Sequence, residues 1–371
     1  MTRRNPKGTK QRSTPEARLS ADAYDPFARG RCPVGVRTIE AFDSGRDRRF
    51  PVEVWYPAAS QHAGQDIAPE TQDVFTDPLR NVPRSQMAVR DAVTRGGTYP
   101  LVLFSHSSGN DRRQSTSLCT HLASHGYVVA ALDHSERIAA ELSPKNGETD
   151  EQKATRWKAV IANRVPDIRF LLHHLLGAEW ESEARIDPTR IGIAGHSFGG
   201  WTALAAIDTV RSIQAVVALA PAGASERRPG ILPVELAFAW GRDVPTLYLV
   251  AEDDTSLPLA GMWELFERTP ATKRMVILRR ADHLHFMDDV EALHETVRTM
   301  PATGGLLRIQ QQMRPVAELC PGEQANVFVG GLTLSHMDAA LKQREEARRF
   351  WLGDIGMVLE SRGVDAIAHR P

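Results

Sequence analysis

Residues 190–200 read Arg-Ile-Gly-Ile-Ala-Gly-His-Ser-Phe-Gly-Gly, and this short run restricts the fold more than any other stretch of the chain. Ile191, Ile193 and Ala194 suit a buried strand, and Gly200-Trp201-Thr202-Ala203-Leu204-Ala205-Ala206 suits a helix. Between them Gly195-His196-Ser197-Phe198-Gly199 has the G-x-S-x-G spacing of a strand-to-helix turn that lifts a serine hydroxyl clear of a sheet. Glycine at both flanks leaves no β-carbon to block so sharp a turn. The helix that follows offers unpaired backbone N–H groups and a favourable dipole for a developing oxyanion. A plain glycine-rich turn would need neither the apolar strand before it nor the helix behind it.

The rest of the chain supplies a sheet for that turn. Gly35–Asp43 and Phe50–Tyr56 read as paired strands joined by the polar turn 44–47. Residues 58–98 are rich in turn formers and read as an irregular excursion. Pro100–Ser105 is a continuous apolar run, as expected of a strand covered on both faces. A helix over Gln114–His125 and a strand over Tyr127–Leu132 follow. Residues 135–156 are polar and read as an insertion. A helix begins after Pro166, with Ile168, Leu171, Leu172 and Leu175 on one face. Beyond the serine turn come strands at Gln214–Leu219, Pro245–Val250 and Arg274–Leu278. A C-terminal helix around 336–361 places Trp351, Ile355, Val358 and Leu359 together. Strands alternating with helices predict an α/β fold, a mostly parallel, doubly wound sheet with helices on both faces. Residues 297–333 fit no such rhythm and read as a further insertion, a cap or lid. The domain expected is therefore 26–371, preceded by an arm at 1–25.

A serine at such a turn needs a base, and the base needs an orienting acid. On this fold they follow in the order serine, acid, histidine. The strand at 245–250 is followed by Ala251-Glu252-Asp253-Asp254, and the strand at 274–278 by Arg279-Arg280-Ala281-Asp282-His283-Leu284-His285. Asp254 is the favoured acid, because Asp-x-x-Leu-Pro leads directly into the next element; Asp253 and Glu252 are the alternatives. His283 is the favoured base, with His285 the alternative; both stand immediately past the last expected strand. An oxyanion would take two backbone donors. One is the N–H of Phe198. The other lies in His106-Ser107-Ser108-Gly109 after the strand at 100–105, with the Ser108 N–H favoured over that of Ser107. His106 is expected to hold that loop by hydrogen bonds rather than to move a proton.

Composition narrows the partners. Net charge is −1, so no global field attracts nucleic acid. The first twenty residues are the exception, with Arg3, Arg4, Lys7, Lys10, Arg12 and Arg18 against Glu16. They carry too few apolar groups to bury and read as a solvated, disordered arm. That arm lacks the apolar stretch of a secretory signal, and no run is long and apolar enough to span a bilayer. The expected location is cytoplasmic. Cys32, Cys119 and Cys320 are too far apart to form a CxxC pair or a zinc spacing, and Cys119 reads as a core residue. Neither a metal nor an organic cofactor is implied.

These segments together resemble the α/β-hydrolase superfamily. More closely, the chain is similar to platelet-activating-factor acetylhydrolase-like and predicted dienelactone hydrolase proteins. The likeness is carried by Pro33-Val34-Gly35, Val54-Trp55-Tyr56-Pro57, Tyr99–His106, Leu122–Ala131, Arg164-x-x-Asp167, Gly195–Gly200 and His283-x-x-Phe286, roughly residues 33–290. It implies Ser197 as nucleophile, His283 as base and hydrolysis of a small-molecule carboxylic ester. Two departures stand out. Animal acetylhydrolases carry their acid just after the strand following the serine helix, where this chain reads Ala218-Leu219-Ala220-Pro221. Dienelactone hydrolases carry cysteine where this chain has Ser197. The other readings left open are a peptidase, thioesterase or acyltransferase on the same residues, and a non-catalytic binding module on the same fold.

Overall fold

A computed structural model of the chain describes residues 24–134, 147–177, 183–226 and 231–369. The expected arm thus lies outside the described residues except for Tyr24 and Asp25. Both of these are docked: Tyr24 donates to Asp338 at 3.3 Å and Asp25 pairs with Arg362 at 2.9 Å.

The chain opens with the antiparallel pair β1 (Val34–Asp43) and β2 (Arg48–Pro57). Asp43 Oδ1 accepts from the N–H groups of Gly45 and Arg46 and so closes the turn between them. The excursion read as irregular contains a small antiparallel pair, β3 (Asp73–Thr76) and β4 (Pro83–Gln86), and a two-residue strand β5 (Val89–Arg90) beside β1. Strand β6 (Gly97–Ser105), helix α1 (Thr116–Ser124) and strand β7 (Val128–Leu132) lie where the apolar runs put them.

Helix α2 runs over Asp150–Leu176 and passes straight through Pro166. Residues 150–156 therefore belong to this helix and not to an insertion, and residues 135–146 lie outside the described set. Thr149 starts α2 through a capping box with Gln152. An interior proline costs about 3 kcal/mol. Fully burying Ile168, Leu171, Leu172 and Leu175 returns about 1.5–3 kcal/mol each, so the helix continues. Next come β8 (Ala184–His196), α3 (Phe198–Ala206), β9 (Ile213–Leu219), β10 (Thr246–Ala251), α4 (Leu259–Arg268) and β11 (Lys273–Leu278).

The C-terminal third departs most from expectation. Helices α5 (Val290–Thr299) and α6 (Gly304–Gln312) are followed by α7 (Gly322–Ala340), α8 (Glu345–Leu352) and α9 (Ile355–Glu360). The single helix expected over 336–361 is thus three pieces, broken at Gln343, which has φ 52°, and recapped by Asp354. Trp351, Ile355 and Leu359 still bury together, with Val358 only half-buried. Residues 322–333 are no lid. Phe328, Leu332, Leu334 and Met337 on α7 are fully buried beneath the sheet. Gly331 lets this helix close on Phe27, whose ring a β-carbon would overlap. Strand β12 (Ala366–His369), not anticipated, pairs antiparallel with β11.

The sheet runs β12-β11-β10-β9-β8-β6-β7-β2-β1-β5. Strands β7, β6, β8, β9, β10 and β11 are mutually parallel, so their carboxyl ends share one rim. Alternation along each strand sends Leu101, Leu103, Ile191 and Ile193 to one face, under α2, α3 and α4. Val102, Phe104 and Ala194 go to the other, under α1 and α7. If α7 is core, Phe328→Ala should lower unfolding stability by about 3–5 kcal/mol in a urea titration; a residue of a surface flap would cost less than about 0.5 kcal/mol.

Candidate active site

Ser197 sits between β8 and α3 with φ 56° and ψ −117°, a backbone region costly for a residue with a β-carbon. Its neighbours make the turn possible. A β-carbon on Gly199 would overlap the Ser105 carbonyl, and one on Gly195 would overlap the Gly199 carbonyl. The turn is pinned by Ser197 N–H to Leu219 O at 2.8 Å and by Ala222 N–H to Ser197 O at 2.9 Å.

Asp254 lies just past β10, and His283 just past β11. His283 Nδ1 meets Asp254 Oδ2 at 2.7 Å. Asp254 Oδ1 accepts the N–H groups of Ser256 at 2.8 Å and Leu257 at 2.7 Å, so the carboxylate is held from both sides. Burial disfavours charge on His283, but the Asp254 carboxylate outweighs it and the ring's pKa is raised above its ordinary 6.5. The buried His196 ring lies 4.6 Å from that of His283. Its own pKa is held well below normal by burial, so it adds no charge there.

The other carboxylates of the triplet face elsewhere. Asp253 pairs with Arg314 at 3.0 Å, and Glu252 accepts from the Arg280 N–H at 3.1 Å. His285 points away from the rim. Its Nδ1 meets Asp282 Oδ1 at 2.8 Å and its Nε2 meets Cys320 O at 3.0 Å. The segment is not extended but a single 3-10 turn over His283–Phe286, capped by Asp282, and it is this turn that separates the two imidazoles.

The loop after β6 is equally well held. Ser107 N–H is spent on Gln114 Oε1 at 2.7 Å. Ser108 N–H makes no hydrogen bond among the described residues. Phe198 is the first residue of α3, where a helix leaves its N–H groups without intrahelical partners. His106 Nε2 accepts from the His134 N–H at 3.0 Å while Nδ1 contacts Ser107 O at 2.7 Å. Burial, aided by Arg164, keeps the His106 ring neutral. Among the described residues, no group of three His, Cys, Asp or Glu side chains could hold a metal ion. No helix there is long and apolar enough to cross a membrane.

A cavity of about 250 Å³ opens between the segments that leave β9 and β10. Ala224, Leu232, Val234, Leu257, Pro258 and Met262 make it mostly apolar. Among the described residues no helix occupies 220–226 or 231–245, so irregular chain forms this wall. The sequence pattern offered no signal for it.

With a serine on a strained strand-to-helix turn and an Asp–His pair past two later strands, one architecture accounts for the whole rim. The chain has the α/β-hydrolase fold. The sequence model described as platelet-activating factor acetylhydrolase, isoform II, matches residues 47–170. The platelet-activating factor acetylhydrolase of Cavia porcellus is 25% identical over 252 residues, 57% of this chain and 53% of that protein. The bis(hydroxyethyl) terephthalate hydrolase of Streptomyces coelicolor is 26% identical over 194 residues, 52% of each chain. The chain thus spans about half the length of these curated relatives. A ferulic acid esterase from Streptomyces cinnamoneus superimposes with a TM-score of 0.57 at 25% identity, covering 85% of this chain and 92% of that chain.

His285 has a stabilising role with a distinct pH signature. Burial opposes its charge, but the hydrogen bond to Asp282 carries its pKa up to about 10. Asp282 is also contacted by His294 Nε2 at 2.7 Å, and burial of that carboxyl is outweighed by both histidines, which push its pKa down. A raised folded-state pKa stabilises fully below the unfolded value of about 6.5, and the gain is lost as pH climbs through the folded value. The melting-temperature gap between the native protein and His285→Gln should therefore be widest near pH 6 and shrink toward pH 10.

Proposed function

We propose that this α/β-hydrolase is a serine carboxylic ester hydrolase working through an acyl-enzyme, with Ser197 as nucleophile, His283 as base and Asp254 as orienting acid. The observation that carries the reading is the Asp254–His283 hydrogen bond of 2.7 Å at the ends of β10 and β11, on the rim where the strained turn presents Ser197. With Nδ1 committed to Asp254, Nε2 is the ring nitrogen left to take the serine proton. Ser197 Oγ attacks the ester carbonyl as its proton passes to His283. The resulting oxyanion is held by the N–H groups of Ser108 and Phe198. The intermediate collapses, and the imidazolium returns the proton to the departing alcohol. Water, deprotonated by His283, then attacks the acyl-enzyme through the same geometry and releases the acid and free Ser197.

Esters are the common chemistry in the names of the acetylhydrolase, the terephthalate hydrolase and the ferulic acid esterase. The cavity beside the Asp254 loop favours an uncharged, apolar group on the substrate. It exceeds the roughly 150 Å³ that accepts a benzene ring, so chain-length preference among p-nitrophenyl esters should favour medium acyl groups over acetyl.

A fluorophosphonate probe should label the native protein at Ser197 and leave Ser197→Ala untouched; absence of labelling would favour a binding module. Ser197→Ala should lower turnover on the order of 10⁶-fold. Asp254→Asn should lower kcat about 10⁴-fold, because the imidazole would then favour the wrong tautomer. Asp253→Asn, on an exposed ion pair, should cost less than about tenfold. Circular dichroism must show each variant folded. If Asp253→Asn proves the inactive one, the acid has been misassigned.

The pH dependence has a definite sign. His283 must be neutral to accept the serine proton, and Asp254 raises its pKa above 6.5. The rising limb of kcat/KM against pH should therefore have its midpoint above 6.5 and fall away on the acid side. A midpoint well below 6.5 would be incompatible with the Asp254–His283 pair in the free enzyme.

A further inference from the structure

The motif Arg164-x-x-Asp167 has no part in the chemistry above, yet both residues are fully buried on one face of α2. Arg164 reaches the loop after β6 rather than solvent. Its Nη1 donates to His106 O at 2.7 Å and to Ser105 Oγ at 3.1 Å, and its Nη2 donates to Ser107 O at 3.3 Å. The flat guanidinium lies over the Phe198 ring, 4.1 Å from its centre. One side chain therefore touches both segments that carry the proposed oxyanion donors.

The peptide bond turns this contact into an orientation. Ser107 C=O and Ser108 N–H belong to one planar trans unit and point in opposite directions. Arg164 and His106 Nδ1 together hold the Ser107 oxygen, so the Ser108 N–H must face away from them. The unit before it is fixed as well, with its carbonyl on Arg164 and its N–H on Gln114. Behind Arg164 a relay of buried groups keeps the guanidinium in register. Ser105 Oγ lies 3.1 Å from His134 Nε2, and His134 Nδ1 lies 2.9 Å from Asp167 Oδ2. Asp167 Oδ1 accepts Arg46 at 2.7 Å and Arg48 at 2.5 Å. The donors run in a consistent order: His134 donates to Asp167, Ser105 to His134, and Arg164 to Ser105.

We propose that Arg164 is the positioning residue of the oxyanion hole, aiming the Ser108 N–H through the Ser107 carbonyl while seating the first turn of α3 through the Phe198 ring. The proposal rests on the ester-hydrolase reading. Arg164 touches neither substrate nor reacting atoms, and its influence should fall on the transition state and spare substrate binding. Lysine in its place keeps a charge but loses the planar fork and the stacking surface.

The test is Arg164→Lys, assayed on p-nitrophenyl esters and with a trifluoromethyl ketone that mimics the tetrahedral oxyanion. Loss of one oxyanion donor costs about 10²-fold in rate. The expected result is a fall in kcat of about that size with KM within about threefold of native. The ketone's Ki should rise by the same factor as kcat/KM falls, and the pH midpoint should not move, because His283 and Asp254 are untouched. A general loosening of the fold would move KM and the pH midpoint too. Native kcat, or a changed kcat with unchanged ketone affinity, would overturn the proposal. Should Arg164→Lys not fold, Phe198→Leu removes the stacking surface while keeping the backbone donor, and the same paired decline of kcat/KM and ketone affinity decides. Failure of the ester-hydrolase reading is separable: it would appear as an active Ser197→Ala protein, whatever Arg164 does.

Discussion

The backbone at Ser197 is the constraint around which the molecule is arranged. A serine at φ 56° and ψ −117° costs about 1–3 kcal/mol and persists only where its surroundings over-determine it. The determinants come from three strand ends. Ser197 N–H bonds the last residue of β9, and its carbonyl accepts from Ala222 and Trp201. Ala220, itself at φ 37°, bonds onward to Leu249 of β10. The carbonyl of Ser105 at the end of β6 fills the space that a side chain on Gly199 would need. The strain is thus shared across β6, β8, β9 and β10. That sharing ties the placing of the serine to the order of the sheet.

Much of this was legible in the sequence because the signals are local. A parallel strand buried on both faces must be largely apolar, and Pro100–Ser105, Tyr127–Leu132 and Pro245–Val250 are, with Ser105 and Thr246 the polar exceptions. What was hidden depended on competition between distant terms. Pro166 reads as a helix start, yet the apolar face after it and the Thr149 cap before it together outweigh the lost hydrogen bond. Helix α7 carries Gly330 and Gly331 and is buried nearly all round, so it lacks the amphipathic stripe by which a helix is usually recognised. Its glycines serve close packing against His121 and Phe27. β12 is too short to carry a pattern of its own.

The proposed site divides the same way. Ser197, Asp254 and His283 could be selected because each follows a recognisable strand. Asp253 and Asp254 differ only in direction, and the structure separates them: one faces Arg314, the other His283. The roles of Arg164, Asp167 and His134 had no comparable signal. Their partners lie 28 to 121 positions away, and burial rather than sequence context sets their state. Burial lowers the pKa of His134, while the Asp282 carboxylate raises that of His285. Thirteen histidines look alike in a sequence; the dielectric around each one sorts them.

The two margins of the sheet have a consequence for how the protein behaves among its own copies. An open parallel sheet ends in rows of unpaired N–H and C=O groups that can recruit a strand from another molecule. Here one margin is β12, four residues laid antiparallel on β11, and the other is β5, two residues beside β1. At four residues β12 is too short to template a stable intermolecular ladder, whereas β5 covers only Gly35 and Val36 and leaves the rest of β1 as the longer edge. The late return of the chain at 366–369 thus works as a selvedge, finishing the fabric so that it does not ravel into its neighbours. Removing residues 366–369 would bare β11, an apolar parallel strand, and leave its edge open to a strand from another copy.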